Sequence, residues 1–164
     1  MGALLLALIL WASPARAHNA NIATFDLIER PAGWVLEATF PRVTVDRALR
    51  AWLGDAAVEA LAEPDYEAAV VRYLKATLQV QADGAPLRLG AGLIRLGDDE
   101  TTVRLALRDV PADPAVFDVV VRALTEQGGQ YNVLRVRALG PAGEEVRYNG
   151  VLHAEQGYAQ RVEL

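Results

Sequence analysis

His18 and His153 are the only two histidines in the sequence. A histidine at a free amino terminus offers one ion both its α-amine and its ring, and neutral nitrogen donors favour copper(II) among common divalent ions. Cleavage after Ala17 makes His18 such a terminus. A second imidazole from His153 completes a three-nitrogen set. These two residues therefore define a candidate site for copper or another transition metal. The competing reading is plain. His153 alternates with Arg147, Asn149 and Val151, the polar face of a strand, where an imidazole is simply solvated. A mature first residue is commonly mobile.

Other chemistries are narrowed by absence from the sequence. There is no cysteine, so thiol nucleophiles, thiolate metal sites and disulfides are excluded. Ser13 is the only serine and precedes the cleavage point, so the mature chain is no serine hydrolase. Acids are plentiful, but no spacing marks a pair for general acid–base work. Asp98-Asp99-Glu100 lacks the spaced ligands of a calcium loop and reads as a solvated hairpin tip. Gln130, Tyr131 and Asn132 follow Gly128-Gly129 and read as polar groups that satisfy backbone at a turn. Arg104, Arg108, Arg122, Arg135, Arg137 and Arg147 point outward by alternation and read as a salt-laced solvent face. The expectation is a non-enzymatic domain with no resident cofactor, copper being the exception to test.

The first seventeen residues read as a secretory signal. Ala3–Ala12 is an unbroken apolar run, and spanning a bilayer takes about 20 such residues. Ser13-Pro14 breaks the run, and Ala15-Arg16-Ala17 supplies small–x–small at a cleavage site. A basic residue before the run is missing. Residues 18–164 are then one periplasmic or extracellular domain. Removing Arg16 and no acid takes the formal charge from −5 to −6. That disfavours nucleic acid and anionic membrane surfaces as partners, leaving an envelope or membrane protein.

The elements that must position these groups follow from periodicity. Trp34, Leu36, Ala38 and Phe40 alternate with Val35, Glu37 and Thr39, a strand with one buried face. It pairs as a hairpin with residues 21–29, whose alternation is mixed. Val45, Leu49, Trp52 and Leu53 share a helical face, with Thr44 as cap and Gly54 as stop. A second helix follows Pro64 with Asp65 as cap and Tyr66, Val70, Tyr73 and Leu74 on one face. Asp83-Gly84 predicts a type I′ turn, and Gly90 and Gly92 predict a bulge. Further inward rows are Val103/Leu105/Leu107, Phe117/Val119/Val121/Ala123 and Leu134/Val136/Ala138. The expected fold is an immunoglobulin-like β-sandwich of seven to nine strands, with a two-helix insertion at about 44–75. An open α+β sheet covered by helices is the alternative.

Ala17-His18, VDRALRAWL, YLKATLQVQADGAPL and Gln130-Tyr131-Asn132-Val133 stand in an order that resembles a family of small exported bacterial domains of unknown function. It is also similar to the exported N-terminal region of HupE/UreJ-type membrane proteins, which are linked to metal transport for hydrogenase or urease. Asn19 stands where that family often has proline, and only Asp46 remains of a usual acidic pair. The resemblance implies an exported β-sandwich and assigns no catalytic residue. Copper-resistance protein C-like domains look similar in using an amino-terminal histidine, but their Asp-x-His pattern is here Val151-Leu152-His153.

Overall fold

The structure is a computed structural model and describes residues 22–141 and 143–164. His18, the proposed signal and Ala142 lie outside the described residues. In chain order the elements are β1 (Ile22–Arg30), β2 (Gly33–Pro41), α1 (Arg42–Leu53), α2 (Asp55–Glu59), α3 (Glu63–Thr77), β3 (Leu78–Ala82), β4 (Ala85–Pro86), β5 (Arg88–Leu96), β6 (Glu100–Arg108), β7 (Val116–Val121), β8 (Tyr131–Gly140), β9 (Gly143–Leu152) and β10 (Ala159–Glu163). A 3-10 turn, Ala154–Gln156, precedes β10.

Two sheets make a β-sandwich with a helical insertion. One has the order β5-β6-β2-β1-β8-β9 and the other β10-β7-β3-β4. The alternating apolar rows face each other across the core. Phe25, Leu36, Phe40, Leu105, Leu134 and Val136 come from the larger sheet, and Val80, Phe117, Val119 and Val121 from the smaller, all buried. Trp34 and Phe117 meet edge to face at 4.7 Å across the sheets. Asp83 and Gly84 both take positive φ, 51° and 79°, as the hairpin turn requires.

Three local expectations change. Helix α1 begins at Arg42, with Pro41 at its cap position and no side-chain cap, and Thr44 is buried inside the first turn. Proline offers no side-chain acceptor, and the first helical N–H, that of Arg42, donates instead to Asp99 O at 2.9 Å. Helix α3 starts at Glu63, before Pro64, because proline is tolerated in the first turn; Asp65 sits in that turn and does not cap it. The insertion therefore spans 42–77. Trp52 and Leu53 stay 43% and 37% exposed. Trp52 lies at the helix end and only leans an edge against Tyr73, at 5.7 Å.

The larger sheet also holds one parallel ladder. β1 pairs antiparallel with β2 and parallel with β8, Ala23 opposite Asn132 and Asp26 opposite Arg135.

Candidate functional site

The solvent face of the larger sheet is built around a carboxylate in its centre. Asp26 is only 2% exposed although it points away from the core. Its cross-strand neighbours are Glu37 on β2 and Arg135 on β8. Arg135 Nη2 donates to Asp26 Oδ2 at 2.7 Å. Arg135 Nε and Arg137 Nη2 lie 2.6 and 3.1 Å from Oδ1. No N–H points squarely at Oδ1, so the attraction there is chiefly ionic. Arg137 continues to Glu144 at 2.7 Å, and Glu144 takes Arg30 at 2.9 Å. Across the sheet, Arg104 Nε donates to Glu37 at 2.9 Å. Ile28, on the same outward face, is also buried, flanked in register by Val35 and Arg137. Long arginine stems cover apolar surface while their heads reach water. This explains the mixed pattern of the first strand: residues 26 and 28 are buried on the wrong face for simple alternation.

Four of the six arginines expected to face outward are in ion pairs: Arg104, Arg135, Arg137, and Arg147 with Glu145 at 3.1 Å. Arg147 does not share the face of Asn149 and Val151. The β8–β9 register shifts between Val136 and Arg137, which makes Arg147 the extra residue of a bulge.

The two edges of this sheet are finished differently. β9 meets β10 of the other sheet, where Tyr148 Oη donates to Gln160 Oε1 at 3.0 Å. β5 has β6 on one side and, among the described residues, no strand on the other. The predicted bulge falls between Leu89 and Gly92. Beyond it, Gly92–Leu96 pairs regularly with β6. Gly92 is seated on α3; a Cβ there would stand 3.0 Å from both γ-carbons of Val71 and 2.9 Å from Leu105. A groove of about 450 Å³ lies on the sheet face inward of β5, over Thr39 and Thr102, walled by Leu93, Arg95, Glu37, Glu100 and Arg104.

One end of the sandwich gathers the sequence-predicted residues. Ala23, Asn132 and Leu152 lie side by side on β1, β8 and β9. His153 follows Leu152 and is exposed. Its carbonyl accepts from Gln156 N at 3.1 Å and Tyr158 N at 3.0 Å. Asn132 is buried and donates to Ala123 O at 2.7 Å, tying the start of β8 to the chain leaving β7. Its role is the backbone-satisfying one expected of that segment, while Tyr131 beside it is 54% exposed. Among the described residues no three histidine or carboxylate side chains gather as a metal site. Asp98, Asp99 and Glu100 form an exposed turn closed by Gly97 N to Glu100 O at 2.8 Å.

A second polar cluster at this end escaped sequence reading. The buried Tyr73 hydroxyl accepts from Leu124 N at 2.7 Å and donates to the Glu126 carboxylate at 3.0 Å. Burial pushes this hydroxyl well above the usual tyrosine range. Leu124 holds φ 65° and is fully buried, a costly backbone state fixed by these contacts. Periodicity places Tyr73 on the inward helix face but carries no sign of its partner fifty residues on.

A scan of protein-family models matches nothing to this chain, nor does a search of curated proteins.

Proposed function

We propose that this chain is an exported, non-enzymatic binding domain of the bacterial envelope. The observation that carries the reading is where the charges go. The carboxylates gathered on the broad face, Asp26, Glu37 and Glu144, are each engaged by arginine. A general acid or base needs a group free to exchange its proton, and these are committed to holding the sheet. The resemblance to exported regions of HupE/UreJ-type proteins supports an envelope or membrane protein as partner. Among the described residues no helix is long and apolar enough to cross a membrane. Mass spectrometry of protein recovered from the periplasm tests the export step: a chain starting at His18 is expected, and an uncut chain retained in the cytoplasm overturns the reading.

A second reading, copper(II) binding by His18 and His153, is favoured by the strand register. Ala23 and Leu152 are separated by β8 alone, about 10 Å at ordinary strand spacing. Four residues from His18 to Ile22 reach at most about 14 Å, so the two imidazoles belong to segments within reach of each other. Copper(II) titration of the cut protein is expected to weaken at least about tenfold in His18→Ala and in His153→Ala, a loss of about 1.4 kcal/mol. Equal weak binding by all three proteins ends this reading.

A further inference from the structure

We infer that the edge of β5 from Gly92 to Leu96 is a docking site for an extended segment of a partner protein. The segment adds as a seventh strand and sets a carboxylate against Arg95. This rests on the reading of the chain as a binding domain.

The backbone supplies the template. Gly97 N bonds Glu100 O across a two-residue turn, so residues 97 and 100 form a hydrogen-bonded pair. Such pairs alternate along an antiparallel ladder. With Leu96 opposite Thr101 and Ile94 opposite Val103, the N–H and C=O groups of Ile94 and Leu96 point away from β6. They have no strand to bond among the described residues. Sheets commonly blunt such an edge with a bulge or a charge. Here the bulge ends at Gly92 and leaves the following residues regular.

The side chains choose the occupant. Leu93 is 74% exposed, the most exposed large apolar residue among those described, and it stands on the outward face of this edge strand. β5 contains two arginines and no acid. Arg88 is engaged by Asp109 at 2.6 Å, while Arg95 forms no ion pair among the described residues. An incoming strand with an apolar residue over Leu93 and an acid beside Arg95 answers both features. Strand addition draws affinity from main-chain bonds and specificity from alternate side chains. Gly92 packed on α3 keeps the edge in place before binding.

The test uses isotope-labelled protein purified from expression of the full chain. The probes are the blocked peptide Thr-Val-Thr-Glu-Thr-Val-Thr and its counterpart with Lys in place of Glu. The Glu peptide is expected to shift and protect the Ile94 and Leu96 amides and to bind about fivefold tighter than the Lys peptide, as one surface charge pair allows. Arg95→Glu is expected to reverse that preference. Ile94→Pro removes an outward N–H without touching a bond to β6 and is expected to abolish binding of both. Silent β5 amides at millimolar peptide, or no reversal by Arg95→Glu, overturn the inference. Peptide binding elsewhere with β5 silent also overturns it while leaving the binding-domain reading intact.

Discussion

β5 and β9 close the two sides of one sheet, and they close it by different means. β9 is turned inward by a bulge at Arg147 and fastened to β10 through Tyr148 and Gln160. β5 is fastened from beneath, by Gly92 against Val71 of α3, and its outer backbone is left unbonded among the described residues. Both strands carry an exposed apolar residue, Val146 at 63% and Leu93 at 74%. Exposure alone therefore does not distinguish them, since single apolar residues on a surface are ordinary. Neither has a further strand beside it in this sheet among the described residues; what distinguishes them is the bulge and the side-chain link to β10 next to Val146, against the regular run next to Leu93.

The largest expected effect comes from breaking the seat of β5. Gly92→Leu forces a side chain into space held by Val71 and Leu105. A loss of about 3 kcal/mol is expected, at the upper end for overpacking, read as a shift in urea midpoint. Hydrogen exchange should rise along β5 first. Unchanged stability would mean that α3 does not hold this edge.

Asp26→Asn tests the centre from which both edges hang. Breaking a fully buried ion pair costs about 3–5 kcal/mol. Arg135 and Arg137 keep 38% and 26% of their side-chain surface, so a smaller loss of about 2 kcal/mol is expected. It should loosen β5 and β9 alike in hydrogen exchange, and loosening of only one edge would show that the pair is local.

The smallest effect is on the fastened side. Tyr148→Phe removes one hydrogen bond between β9 and β10, expected to cost about 1 kcal/mol. Faster exchange at β9 and β10 with β5 unchanged is the expected pattern. Equal change at β5 would erase the contrast between the edges.

Much of the sandwich was legible because its strands have one wet face. The rows of Trp34–Phe40, Val103–Leu107 and Leu134–Ala138 obey a two-residue period, so their inward residues could be read directly and are buried. The turn at Asp83-Gly84 and the bulge near Gly92 were legible for a local reason, the backbone freedom of glycine. The first strand was not: Asp26 and Ile28 are covered by residues of β8 more than a hundred positions away, and the trace in sequence is an acid set between apolar residues in one strand and two arginines two apart in another. For the candidate site, His153 was nameable from sequence, but its place one strand away from the start of β1, across β8, was not.

By itself the sequence determined which residues of the regularly alternating strands face inward, where the helices interrupt the strands, and which nucleophiles are missing. These follow from local periodicity and composition. Tertiary structure alone decided that β1 lies parallel to β8, that Asp26 is paired with two arginines, and that β9 is bulged and linked to β10 by a side chain while β5 runs regularly past Gly92. Each depends on pairing between segments distant in the chain, and no local energy specifies such a partner.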